Sequence, residues 1–319
     1  MKKFKFLFFV VVFLNLILKI FSGGITGADI LKITTGGRAM GLSGAYTGMG
    51  DDVEVIVFNP AGVATLTKKE FQYTFFPSFA DINIHSISYA QPFDTLFLEG
   101  ISGISVLYRY IPDINNENAS DAPVKYYDMV LTGTYANNLY YFIRNDFFKN
   151  INTGISVKLI MEKMREFEAS SFAFDIGTQL NFPDTKLKLG IALLNIGLPY
   201  KFLEETSPMP LTFRFGSSYS VELDKDNNLK IAIDFVHDFY GTEKILIGLE
   251  DSILNLIFLR GGYDMPLDSY TPSSLSLGGG LSITQFDITV MLNYVWKPVF
   301  WVGLDNFDFT HILSLQIKL

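Results

Sequence analysis

The sequence predicts an all-β protein, a transmembrane antiparallel β-barrel of about fourteen strands. Three observations carry this expectation. Hydrophobic residues make up 49% of the 319 positions and charged ones only 18%, yet the apolar residues are spread along the chain instead of gathering into long helices. Hydrophobicity alternates with period two over segments of about ten residues, the mark of strands with two different faces. The connections between those segments also sort by order, short ones alternating with longer polar ones, as the periplasmic turns and external loops of a membrane barrel do.

The chain opens with Lys2, Lys3 and Lys5, followed by an unbroken apolar run from Phe6 to Leu14 that Asn15 and Lys19 interrupt. The run is too short for the roughly 20 apolar residues of a spanning helix. Ser22, Gly23 and Gly24 offer small residues for cleavage. Residues 1–22 are therefore expected to be a secretory signal peptide, removed on export, with a single anchor helix as the competing reading.

Residues 23–68 do not alternate. Asp51-Asp52 ahead of Val53 to Phe58 suits the start of a short helix, because carboxylates are favoured at its positive end. Pro60 and Gly62 then end it.

From residue 69 onward the alternation is regular. Strands are expected near 69–77, 82–90, 100–110, 126–136, 150–161, 172–182 and 186–196. Seven more follow near 211–223, 229–239, 244–251, 254–264, 274–283, 285–296 and 310–319. In the clearest, Phe286, Ile288, Val290, Leu292, Tyr294 and Trp296 take one face, and Asp287, Thr289, Met291 and Asn293 the other. Short connections fall at 183–185, 224–228, 252–253 and 284, and long ones at 111–125, 162–171, 197–210, 265–273 and 297–309. Those at 91–99 and 137–149 break the trend. In hydrocarbon every backbone N–H and C=O needs a partner, so a spanning sheet must close on itself. Ten residues at about 3.3 Å each, tilted by roughly 40°, cover the ≈ 25 Å apolar band. Tyr108, Tyr110, Tyr126, Tyr127, Tyr294 and Phe300 stand at strand ends and suit the aromatic girdles. A soluble sandwich is the alternative; its outer faces would leave far more apolar surface than a soluble monomer tolerates.

Composition and motifs exclude several functions. The chain has no cysteine, hence no disulfide framework, thiol nucleophile or Cys-ligated metal. A net charge of −8 and a pI near 5.0 speak against a nucleic-acid partner. Gly48-Met49-Gly50 runs into Asp51-Asp52 without completing a dinucleotide fingerprint, and no Walker loop occurs. Gly41-Leu42-Ser43-Gly44-Ala45 misses the nucleophile elbow at its last position. His85, His237 and His311 share the parity of their strands' apolar residues and should point outward. No enzyme activity, metal site or cofactor is expected.

The run Gly37-Arg38-Ala39-Met40-Gly41-x-x-Gly44-Ala45-Tyr46, then Asp51-Asp52 and Asn59-Pro60-Ala61-Gly62, resembles the opening of the PorV/PorQ family. That family is related to the FadL-type outer-membrane transporters of long-chain fatty acids. Tyr89 to Pro92, Leu193 to Gly197, Pro210 to Arg214, Leu259 to Tyr263 and Thr310-His311 extend the likeness over essentially the whole mature chain. Leu319 departs from it, since outer-membrane barrels more often end on an aromatic. The resemblance implies a fourteen-stranded barrel over 69–319 in the bacterial outer membrane, with residues 23–68 inside it as a plug. It also implies one of two roles. One is a FadL-like channel for passive uptake of hydrophobic small molecules such as fatty acids. The other is a secretion accessory that binds exported cargo or secretion-channel proteins.

On the strand faces opposite the apolar ones lie Arg109, Lys158, Asp175, Arg214, Asp234, Arg260 and Asp287. An Arg or Lys facing lipid near the midplane costs ≈ 2–4 kcal/mol, so these residues should face the lumen. They would either grip the plug as a satisfied polar network or line a ligand path. Arg38 is expected to pair with Asp51, Asp52 or an inward barrel carboxylate and so lock the plug. Asn59 and Pro60 either cap and stop the short helix or, by the same resemblance, take part in gating.

Overall fold

The computed structural model describes residues 26–77, 82–94, 99–111, 126–164, 167–202, 205–299 and 308–319. The expected signal peptide and Phe300 lie outside them.

The first seven strands are β1 (Glu70–Pro77), β2 (Asn83–Asp94), β3 (Glu99–Ile111), β4 (Tyr126–Asn138), β5 (Ile151–Met164), β6 (Phe167–Phe182) and β7 (Leu187–Gly197). Two short ones follow, β8 (Tyr200–Phe202) and β9 (Glu205–Ser207). The rest are β10 (Thr212–Glu222), β11 (Asn228–Asp238), β12 (Lys244–Ile253), β13 (Ile257–Pro266), β14 (Ser274–Gln285), β15 (Ile288–Val299) and β16 (Asp308–Lys318). All but β8 and β9 form one closed antiparallel barrel of 14 strands, in which β7 pairs with β10 and β1 with β16. Closure runs from Glu70 opposite Lys318 to Phe75 opposite Leu313, and Lys69 and Leu319 exchange two further backbone hydrogen bonds. Each expected strand has its counterpart, because period-two alternation leaves no helical face to bury.

The burial pattern is inverted relative to a soluble protein. Ile155, Val157, Phe172, Phe174, Leu292 and Leu313 are exposed on the outer wall, whereas Thr132, Ser156, Gln179, Asn293 and Gln316 are buried on the inner one. Such a wall is stable only with hydrocarbon outside, so the barrel is a transmembrane one and the sandwich alternative falls.

Several expectations need correction. Asp287 does not face the lumen: with Phe286 it forms the two-residue turn between β14 and β15, both residues at positive φ, as tight antiparallel hairpins require. Tyr126 points inward, not to a girdle, and donates its hydroxyl to Glu162 at 3.0 Å. The expected loop at 162–171 is largely strand, since β5 and β6 stay paired up to Met164 opposite Phe167. The connection 139–150 breaks the short-turn trend because it holds a helical turn, α2 (Leu139–Ile143), capped by Asn138, and a second at Asp146–Phe148, capped by Asn145. His237 has the expected outward parity but is buried, its ring hydrogen-bonded to Glu243 and edge-on to Phe239.

Residues 26–66 lie within the barrel. They form turns at Asp29–Lys32, Val53–Val57 and Pro60–Thr65 and one short helix, α1 (Gly37–Gly41). Tyr46, Met49, Val55, Ile56 and Phe58 pack with Ala90, Ala136, Ala232 and Leu246, inward residues from opposite parts of the wall. A segment that touches inward faces around the ring can only be inside it.

Candidate functional site

The inner segment folds around Arg38, which α1 carries into the lumen. Gly36 precedes the helix at φ +98°, a conformation that side chains resist. The Glu54 carboxylate then accepts from the backbone N–H groups of Arg38 (3.1 Å) and Ala39 (2.8 Å), satisfying donors that a helix start leaves open. The Arg38 guanidinium binds Glu250 of β12 through two parallel bonds of 2.7 and 2.8 Å. It also donates to Asp51 (2.6 Å), Asp52 (2.9 Å) and the Tyr46 hydroxyl (3.1 Å). The bidentate fork is the strong geometry for this pair. The partners expected as alternatives for Arg38, namely Asp51, Asp52 and a barrel carboxylate, are thus all engaged at once.

Asp52 also caps the Val53–Val57 turn by accepting from Glu54 N–H at 3.0 Å. Asp51 sits nearer solvent and meets Lys188 (3.4 Å) and Lys230 (3.1 Å) of the wall. Burial raises the Asp51 pKa, but Lys230, Arg38 and Lys188 more than offset that and hold the carboxyl well below its usual range.

Asn59 both caps and ties. Its Oδ1 accepts from Ala61 N–H, and its Nδ2 donates to the carbonyls of Thr47 (3.0 Å) and Thr178 of β6 (3.1 Å). The wall meets this turn with glycines. A Cβ on Gly177 would stand 2.0 Å from Asn59 Oδ1, and one on Gly154 2.4 Å from the Pro60 carbonyl carbon.

The other charges expected to face the lumen, Asp287 apart, are paired. Arg109 binds Asp128 (3.0 Å) and Lys158 binds Asp175 (2.8 Å). Arg214 reaches Asp234 (3.0 Å), which also accepts from the backbone of Tyr46 and Thr47, and Arg260 reaches Glu250 (2.7 Å). Asp175 and Asn195 stand at a bulge where β7 carries one extra residue; Asn195 takes φ +61° and its N–H donates to Asp175 at 2.8 Å.

Sequence reasoning did not single out Glu250, Glu54 or Glu70. Glu250 follows the inward parity of Leu246 and Gly248, a signal that was there to use. Glu70 accepts from Val53 N–H at 3.0 Å from the first position of β1, where alternation has barely begun.

Between the inner segment and the end of the barrel carrying the longer connections lies a cavity of about 310 Å³. Leu31, Ile33 and Phe58 line it from inside, and Leu107, Val130 and Leu194 from the wall. Lys158, Arg214 and Lys244 reach it already paired, with Asp175, Asp234 and Asp264. Lys297 also lines it and makes no hydrogen bond or ion pair among the described residues. Asp264, the carboxylate that attracts it, meets Lys244 through Oδ2 at 3.3 Å, and its buried Oδ1 has no hydrogen-bond partner among the described residues. β8 and β9 form a hairpin over the start of the inner segment: Tyr200 packs on Gly27 and donates to Glu162 at 2.8 Å.

Residues 22–180 match the sequence model of the Uncharacterised protein family (UPF0164). No curated protein matches the chain. Solved structures do. The CymD monoaromatic hydrocarbon channel superposes with a TM-score of 0.62 at 8% identity, over 92% of this chain and 98% of its own. The Ralstonia pickettii toluene transporter TbuX gives 0.57 at 8% identity, over 89% and 97%. The P. putida toluene transporter TodX gives 0.52 at 10% identity, over 89% and 96%. At such identities the likeness is one of fold. Neither the PorV/PorQ resemblance nor the secretion-accessory role gains support from these comparisons.

Proposed function

We propose that the protein is a passive, FadL-like channel of the bacterial outer membrane that admits hydrophobic small molecules. The observation that carries this reading is the cavity above the inner segment, lined in part by aliphatic side chains and reached by the ammonium of Lys297, which has no partner among the described residues. Transfer of a ligand from water into such a pocket gains about 0.8 kcal/mol per buried CH₂, so no energy source is needed. The inner segment, residues 23–68 in the mature chain, acts as the plug. Arg38, Asp51, Asp52 and Asn59 hold it, Pro60 wedges it against β5, and its partial displacement opens a route past it. The fold shared with channels for toluene and other monoaromatic hydrocarbons supports the transport class. A neutral hydrocarbon leaves Lys297 without a partner, whereas a fatty acid lays its chain along the aliphatic wall and its carboxylate on the ammonium.

The test is uptake into liposomes holding the purified barrel, after removal of any signal peptide, with oleate and toluene as probes. Oleate entry should exceed that of protein-free liposomes, and Lys297→Met should lower it several-fold while leaving toluene unchanged. Equal entry with and without protein would end the channel reading; an unchanged Lys297→Met variant would end only the fatty-acid assignment.

A further inference from the structure

The outer wall carries a groove of about 630 Å³ that the lumenal pathway does not use. Its floor is Gly279 of β14, one of the few outward positions without a side chain; a Cβ there would meet only the Phe258 carbonyl, at 4.0 Å. Leu259 and Tyr294 stand opposite Gly279 on the two neighbouring strands, and Leu292 and Leu313 continue the flanks towards β1. A surface of this kind binds hydrocarbon and nothing polar.

The rim is different. Tyr73 and Tyr294 line the groove, and each hydroxyl meets the Nδ1 of an outward histidine: His85 at 2.9 Å and His311 at 2.6 Å. His85 is the third residue of β2 and His311 the fourth of β16, so both rings stand near the same end of the barrel, on either side of β1. Tyr108 and Tyr127 extend the aromatic cluster around His85. The hydrogen bond to tyrosine uses one nitrogen of each ring and leaves Nε2 without a partner among the described residues. At lipid depth an imidazole with an unmet nitrogen is costly; at headgroup depth, with the tyrosine hydroxyl donating to Nδ1, the Nε2–H is a donor beside an apolar trough. A second copy of the barrel, meeting the first across a two-fold axis, would set concavity against concavity and leave the trough unfilled. A lipid chain fills it.

We infer that this wall holds one phosphate-bearing membrane lipid, with an acyl chain in the trough over Gly279 and the phosphate accepting from the ring N–H groups of the histidine rim. The site rests on the membrane reading of the barrel and is independent of what the lumen transports.

Native mass spectrometry of the barrel released from nanodiscs tests it, with dipalmitoyl phosphatidylglycerol and dipalmitoylglycerol as probes. The wild type should retain one phosphatidylglycerol per barrel, at least tenfold in preference to the diacylglycerol. Gly279→Leu fills the trough where space already exists and should lose both probes; Leu292→Trp fills it from the flank and serves if the first variant fails to fold. The double variant His85→Ala, His311→Ala should keep chain binding and lose the preference. Equal retention by wild type and trough-filled variants, an unchanged preference without the histidines, or barrels that leave the nanodisc as lipid-free dimers would each overturn the assignment. Oleate uptake through the lumen should be the same in all these variants, which separates failure of this site from failure of the channel.

Discussion

Replacing Arg38 by methionine removes a cation that touches Glu250, Asp51 and Asp52 together and leaves a side chain of similar reach. Breaking a buried ion pair from one side costs about 3–5 kcal/mol, because the remaining charge keeps its desolvation penalty. Here each carboxylate retains something. Glu250 keeps Arg260 at 2.7 Å, Asp51 keeps Lys188 and Lys230, and Asp52 keeps the Tyr46 hydroxyl at 2.7 Å. The expected loss is therefore at the low end, about 3 kcal/mol, or roughly a hundredfold in the unfolding equilibrium. Urea titration of the barrel in detergent, followed by the gel shift between folded and unfolded forms, reads that loss. Planar-bilayer recording on the same sample should show more frequent openings, since the fork to Glu250 ties the inner segment to β12. Adding Glu250→Gln to Arg38→Met should lower the midpoint further, because the buried Arg260 then loses its carboxylate, with a coupling of about 0.5–3 kcal/mol between the two changes. If Arg38→Met changes neither the urea midpoint nor the opening frequency, the network does not hold the segment in place.

Other variants probe separate parts of the structure. Gly177→Ala drives a methyl group against Asn59 and should cost about 1–3 kcal/mol in the same titration, with the turn at Pro60–Thr65 displaced. Lys158→Met strips the fully buried Asp175 of its counter-charge and should cost about 3–5 kcal/mol, read as a lower urea midpoint. Asp51 has a folded-state pKa below its unfolded one, so its stabilising contribution is complete at neutral pH and is lost as the pH falls past about 3.9 and through the lower folded value. Urea titrations between pH 7 and 3 should show this slope, reduced in Asp51→Asn.

The barrel was legible because lipid outside and polar contacts inside impose opposite demands on alternate residues, and the chain meets both. In β15 the pattern Ile288, Val290, Leu292, Tyr294 against Met291 and Asn293 fixes the strand and its orientation at once. Alternation fails at ends. Asp287 kept the inward parity of Asn293 but fell into the turn; aspartate tolerates positive φ, whereas its turn partner Phe286 gives no such signal and reads as a strand residue. Arg38, Asp51 and Asp52 could be placed together from one glycine-rich segment, whereas their partner Glu250 is 212 residues away, and local pattern says nothing of which strand faces α1. The cavity was not legible: Lys297 reads as the first residue of the expected loop 297–309 until β12, β13 and the inner segment are brought around it.

The ties between the inner segment and the wall span long stretches of sequence, from Asn59 to Thr178 and from Arg38 to Glu250. A slip of one residue in β12 would offer Leu249 or Asp251 to Arg38 in place of Glu250 and turn every lipid-facing side chain inward. The interior segment therefore proofreads assembly. It is complementary to one shear of the sheet, and a barrel that closes in any other leaves buried charge unanswered and stays easier to reopen.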